Sequence, residues 1–119
     1  MANVVVLSCN KIRDISCIGC IKCFKAIKER AGEYARFKDE ELNVIAMTTC
    51  GDCPGLVMPR MGLIKDICAQ YNVDFDYIFI GTCIVKATET AKCPIDISEL
   101  KKKLEDKFGK EVIVGTHPW

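Results

Sequence analysis

Four short apolar runs punctuate the chain: Val4-Val5-Val6-Leu7, Val44-Ile45-Ala46-Met47, Tyr77-Ile78-Phe79-Ile80 and Val112-Ile113-Val114. They are continuous rather than alternating and rich in β-branched residues, which predicts strands covered on both faces, as in a parallel sheet. Helical periodicity fills the gaps between them. The first helix starts near Cys20 and fades by Gly32, with Ile21, Phe24, Ile27 and Ala31 as its apolar stripe and Lys22, Lys25, Lys28 and Glu29 outward. The second spans 57 to 71, with Pro59 in its first turn, where a missing N–H costs nothing, and Met61, Ile64, Cys68 and Tyr71 on one stripe. The third has Asp96 as N-cap, Glu99 three residues on, an inner stripe of Ile97, Leu100, Leu104 and Phe108, and Gly109 just past its end. Residues 82 to 94 are read as a long loop.

Strands alternating with helices predict an α/β fold, a single three-layer domain over residues 1–119. It is expected to have a four-stranded parallel sheet in the flavodoxin-like order 2-1-3-4, covered by three helices. In such sheets the ligand site lies beyond the carboxyl ends of the strands, at the switch point between strands 1 and 3. Cys9 and Cys83 flank that point.

Composition narrows the function. With 17 basic against 16 acidic residues there is no footprint for nucleic acid or another polyanion. No run approaches the roughly 18 apolar residues of a membrane span, and the apolar stretch after Asn3 is too short for a signal peptide, so the expected location is the cytoplasm. Nine cysteines are then too many, and odd in number, for a disulfide framework in a reducing compartment. Clustered thiols in that setting point to metal ligation or redox chemistry.

The cysteines fall where the strands end. The first run finishes in Ser8-Cys9, the second in Thr48-Thr49-Cys50-Gly51-Asp52-Cys53-Pro54-Gly55 and the third in Gly81-Thr82-Cys83, with Cys93-Pro94 downstream. The last finishes in Gly115-Thr116-His117-Pro118. Adjacent strands lie about 4.8 Å apart, so neighbouring strand ends can share one zinc ion through Zn–S bonds of about 2.3 Å. The outer strands, about 14 Å apart, keep Cys50 and His117 from meeting on one ion unless a loop folds over. The central set is Cys9, Cys83 and one or both of Cys50 and Cys53, with Cys93 returning from its loop and His117 joining from the far side. Cys17, Cys20 and Cys23 form a C-x2-C-x2-C, the spacing that opens bacterial iron–sulfur runs, although no cysteine-proline comes soon after it. Strand, C-x-x-C and helix at Cys50 and Cys53 is also the layout of a thiol–disulfide oxidoreductase, in which the helix dipole lowers a thiol pKa.

Plainer roles stand beside these. Cys68 sits on an apolar stripe and is expected to be a core residue; Cys20 is balanced between ligand and packing, and His117 between ligand and surface. Lys101, Lys102 and Lys103 form a solvated face paired through Glu99–Lys103 and Lys101–Glu105. Asp52 is an oxygen ligand, a base or, more commonly for such a residue, a helix cap. Thr49, Thr82 and Thr116 are donors to thiolates or simply turn residues. A flavin or nucleotide is disfavoured because the first loop lacks a glycine-rich or Ser/Thr-rich phosphate cradle.

Cys9, the Cys23-Phe24-Lys25-Ala26 helix start with Cys17 upstream, the Thr48–Gly55 motif, Thr82-Cys83-Ile84-Val85-Lys86, Cys93-Pro94 and Gly115-Thr116-His117 together resemble the CGGC-domain family of small prokaryotic proteins. What the resemblance implies is metal binding by these cysteines and the histidine, with no reaction attached. Asp52 stands where the namesake motif has its second glycine, and Cys20 is an addition to the first loop. The expected function is therefore a cysteine-rich zinc or iron–sulfur site held by Cys9, Cys17, Cys23, Cys50, Cys53, Cys83, Cys93 and His117. The alternatives are a redox pair at Cys50 and Cys53 and a non-catalytic scaffold whose cysteines pack.

Overall fold

The computed structural model describes residues 2–10, 12, 18–50, 56–90 and 95–116. Ala2–Ser8 (β1), Leu42–Thr49 (β2), Tyr77–Ile80 (β3) and Glu111–Val114 (β4) form one parallel sheet in the order β2-β1-β3-β4, as the apolar runs predict. The helices are Ile21–Glu29 (α1), Val57–Gln70 (α2), Thr82–Thr90 (α3) and Ile97–Phe108 (α4), with a 3₁₀ helix at Gly32–Phe37. The fold is α/β, with four α-helices among the described residues rather than three. The additional one, α3, replaces the first part of the expected long loop. Its Thr-rich sequence, with Ile84 and Val85 also β-branched, has weak helix propensity, but Ile84 and Ala87, three apart, are buried against the sheet, and that packing outweighs propensity.

Chain direction assigns the helices to faces. The chain turns one way from β1 to β2 and the opposite way from β2 to β3 to β4, so right-handed crossovers place α1 on one face and α2, α3 and α4 on the other. The buried residues divide accordingly. Val4, Val6, Phe79 and Ile113 meet Ala26, Tyr34 and Phe37, while Val5, Leu7, Ile78, Ile80 and Val112 meet Val57, Met61, Ile84, Leu100 and Leu104.

Two expectations about inner stripes change. On α1, Ile21 and Phe24 are 67% and 50% exposed, and Cys23 and Ala26 face the sheet instead. Small side chains are accommodated there because the 3₁₀ helix supplies the bulk: the Tyr34 ring lies 4.7 Å from that of Phe79, and Phe37 contacts both Phe79 and Tyr77. On α2, Met61 is buried and Ile64 and Cys68 pack against the core, but Tyr71 lies past the helix end and is exposed. The expected cap, inner stripe and terminal glycine of α4 hold, but the expected Lys101–Glu105 pair does not form, and the Glu105 carboxylate accepts the Val112 N–H at 3.4 Å instead. Asp96 Oδ1 accepts the Glu99 N–H at 3.1 Å, Gly109 adopts φ 64°, and Lys103 pairs with Glu99 at 2.8 Å.

A β-bulge in β2 decides which side its end faces. Val4 is level with Val44, but Val5 is level with Ala46, so Ile45 is an extra residue. Ile45 and Ala46 both pack on the α2–α4 face, whereas Val44 and Met47 pack on the α1 face. Beyond the bulge the alternation is inverted, and Cys50 arrives on the same face as Cys9.

Asp74 pins the opposite edge. Its carboxylate accepts Lys65 Nζ at 2.8 Å, the Phe75 N–H at 2.9 Å and Lys110 Nζ at 3.0 Å. The Lys65 bond first, then the Lys110 ammonium and the Phe75 N–H, hold its pKa down at about 2 against the opposing effect of desolvation. A carboxyl depressed on folding contributes stability above its ordinary pKa of 3.8, and that contribution is lost as pH falls through about 2. Thermal melts from pH 5 to pH 2 should therefore show a decline in the native protein that Asp74→Asn lacks in this window. Equal slopes for the two would remove Asp74 from the account. Among the described residues no helix is long and apolar enough to cross a membrane.

Candidate functional site

The register aligns the carboxyl ends of the strands. Ser8 is level with Thr49, Leu7 with Ile80, and Ile80 with Val114, so the next residues of each strand emerge side by side. Cys9, Cys50 and Cys83 leave β1, β2 and β3 as buried free thiols in one core cluster. The Cys50 N–H donates to the Ser8 carbonyl at 3.1 Å, and the Cys50 carbonyl accepts the Leu56 N–H at 2.5 Å.

Gly81 allows β1 and β3 to end this close together. Its N–H donates to the Leu7 carbonyl at 2.8 Å, and a Cβ on it would stand 2.6 Å from that oxygen and 3.1 Å from Cys83 Sγ. The Gly81 carbonyl then accepts the Ile84 and Val85 N–H groups, which starts α3 and places Cys83 in its first turn. Cys83 Sγ accepts the Cys9 N–H at 3.0 Å. Burial pushes the Cys83 thiol up to about 12; the Cys9 and Ile84 N–H groups oppose the rise, and the neighbouring Cys23 and Cys9 sulfurs add to it. In the metal-free protein Cys83 is accordingly a neutral thiol, with donors already aimed at its sulfur. A thiophilic cation reverses that balance, because bound thiolates form only where a positive charge offsets their burial.

The fourth strand end contributes Thr116 rather than a thiol. Thr116 Oγ1 accepts the Thr82 N–H at 3.1 Å and Thr82 Oγ1 accepts the Thr116 N–H at 2.9 Å, a reciprocal clasp that holds β3 and β4 together beyond their ladder. Cys23 Sγ lies 3.5 Å from Thr116 Oγ1 and reaches the site from the α1 face. Thr49 is the last residue of β2 and Thr82 the first of α3, and Thr116 touches a sulfur. Thr49 Oγ1 accepts Arg60 Nη1 at 3.2 Å, which sets a guanidinium next to the end of β2.

Of the expected site residues, the structure brings Cys9 and Cys83 into direct contact, sets Cys50 in the same cluster and places Cys23 against Thr116. Cys20 is buried at the N-cap of α1 with a left-handed backbone, φ 54°, and Cys68 is half-buried in the core. Cys17, Cys53, Cys93, His117 and Asp52 lie outside the described residues. Among the described residues no three Cys, His, Asp or Glu side chains are grouped so as to hold a metal ion. The soft, buried donor set of Cys9, Cys23, Cys50 and Cys83 nonetheless fits a thiophilic metal in its chemistry. Two residues of this edge carry no signal in the sequence: Arg60, in the first turns of α2, and Tyr34, a lone tyrosine in a polar stretch. Only contacts between distant segments bring them here.

The CGGC domain family matches over residues 3–117. An uncharacterised protein of Methanocaldococcus jannaschii, MJ0582, is 37% identical over 119 residues, covering 96% of this chain and 85% of that protein. No solved structure matches the chain. The strand-end cysteines, the parallel sheet that aligns them and the family match over nearly the whole length lead to one conclusion: this chain belongs to the CGGC domain family.

Proposed function

We propose that this protein is a cytoplasmic, single-domain metal-binding protein whose site lies at the carboxyl edge of the sheet. It holds zinc or an iron–sulfur cluster through Cys9, Cys50 and Cys83, with Cys17, Cys23, Cys53, Cys93 and His117 as the further candidate ligands. The observation that carries this reading is the convergence of buried, free Cys9 and Cys83 at the switch point, where the Cys9 N–H donates to Cys83 Sγ at 3.0 Å. Buried thiols at the ligand-binding edge of such a sheet are expensive to ionise and become good ligands only to a cation. Four thiolates closing around the metal give it a structural or electron-transfer role, whereas a coordination position left open supplies Lewis-acid chemistry. The neutral charge balance gives no support for a nucleic-acid partner.

A thiol–disulfide oxidoreductase at Cys50 and Cys53 is the alternative. It is weakened by the helix start: α2 begins at Val57 after a non-helical Leu56, so Cys50 is outside the first turn where the dipole lowers a thiol pKa.

The deciding experiment measures metal, acid-labile sulfide and the visible spectrum on protein purified without oxygen, alongside Cys83→Ala. Stoichiometric zinc, or iron with sulfide in brown protein, falling at least tenfold in Cys83→Ala, is the expected result. Metal-free native protein whose Cys50 and Cys53 exchange disulfides, with exchange retained in Cys83→Ala, would hand the function to the redox pair. Metal-free protein that loses only stability in the variant would leave a scaffold with packed cysteines.

A further inference from the structure

Tyr34 is fully buried, its ring stacked on Phe79, yet its hydroxyl is the one buried side-chain oxygen or nitrogen among the described residues without a hydrogen-bond partner. Buried polar groups in native proteins are almost always paired, and an exception calls for a partner that another state supplies. The surroundings of Tyr34 say which partner. The Glu33 N–H donates to the Thr116 carbonyl at 3.1 Å, which ties the start of the 3₁₀ helix to the end of β4. The hydroxyl of that same Thr116 lies 3.5 Å from Cys23 Sγ. Tyr34 therefore stands one residue from the contact with the strand end that touches Cys23, on the face of the sheet where Cys23 and Ala26 turn inward. Burial first, and then the Cys23 sulfur, hold the phenol well above its ordinary pKa, so at neutral pH it is a proton donor.

We propose that Tyr34 is a positioning residue for the metal site: its hydroxyl donates to Cys23 Sγ once that sulfur binds the metal. The inference rests on the function proposed above. Without metal, Cys23 Sγ rests against Thr116 Oγ1 and the Tyr34 hydroxyl is left without a partner. A metal-bound sulfur has no proton and only accepts. With a turn of the Cys23 side chain, Thr116 and Tyr34 become its two hydroxyl donors, one from β4 and one from the 3₁₀ helix. Hydrogen bonds of this kind orient a ligand and are typically worth 10- to 100-fold in metal affinity.

The test compares native protein with Tyr34→Phe, both stripped of metal under reducing conditions. Affinities for Zn²⁺ and Co²⁺ come from chelator competition, the Co²⁺–thiolate charge-transfer band from absorption, and stability from thermal melts without metal. Expected for Tyr34→Phe is a 10- to 100-fold weaker affinity and a shifted charge-transfer band, with a metal-free melting temperature unchanged or higher because an unpaired buried hydroxyl has been removed. The opposite signs are diagnostic, since a tyrosine that merely packs would lower affinity and metal-free stability together. That joint fall, or an unchanged affinity, overturns the role of Tyr34 and leaves the metal site standing. Native protein that binds neither ion overturns the metal site and this inference with it.

Discussion

Gly81→Ala is expected to destabilise the metal-free protein by about 3 kcal/mol and to remove Cys83 from its place beside Cys9. The added methyl would stand 2.6 Å from the Leu7 carbonyl oxygen, which is backbone in the middle of the sheet and cannot turn aside as a flexible side chain would. Either β1 and β3 separate, losing the Gly81 N–H bond to Leu7, or α3 is displaced with Cys83 Sγ, which the methyl also approaches at 3.1 Å. Overpacking of this kind commonly costs about 1–3 kcal/mol, and a backbone clash belongs at the upper end. Urea denaturation followed by circular dichroism measures the change. An unaltered midpoint would mean that the strand ends tolerate separation and that the close approach of Cys9 to Cys83 is not built into the fold.

Phe79→Ala should cost still more, about 4 kcal/mol. Phe79 is fully buried at the centre of the α1 face, against the rings of Tyr34 and Phe37, so truncation opens a cavity and removes the ring contacts as well as the transfer energy. In a domain whose total stability is of the order of 5–15 kcal/mol, this is a large fraction. Phe79→Leu, which keeps most of the volume, should cost much less; equal losses for the two would mean the site collapses without a cavity. Metal supplies a second readout. A ligand that binds only the folded state adds about 2.7 kcal/mol at a hundredfold excess over its Kd, so metal should restore much of the melting temperature lost in Phe79→Ala. No rescue in a variant that still folds would count against the metal site.

The strand order was legible because buried parallel strands read as unbroken apolar runs, and the α4 boundaries were legible because a cap and a terminal glycine are local signals. The rotation of α1 was not. Its apparent stripe of Ile21 and Phe24 faces outward because Tyr34 and Phe37, about ten residues downstream, already fill the space above Phe79. The helix α3 was hidden for a related reason: its β-branched residues argue locally against a helix, and only the sheet beneath Ile84 and Ala87 makes one favourable.

The candidate site divides in the same way. By itself the sequence determined that the strands end in Cys9, Cys50 and Cys83, because an apolar run stops where the chain reaches the edge of the sheet, and the first residues beyond the run necessarily lie at that edge. The tertiary structure alone decided which of these residues face one another. A single extra residue, Ile45, inverts the alternation of β2 and delivers Cys50 to the face of Cys9, and the bare backbone of Gly81 lets Cys83 reach the Cys9 N–H. Cys23 meets Thr116, and Glu33, next to Tyr34, bonds the same residue, only because α1, β4 and the 3₁₀ helix come together in space. Periodicity is a property of neighbours along the chain, whereas register and packing depend on segments that the sequence keeps far apart.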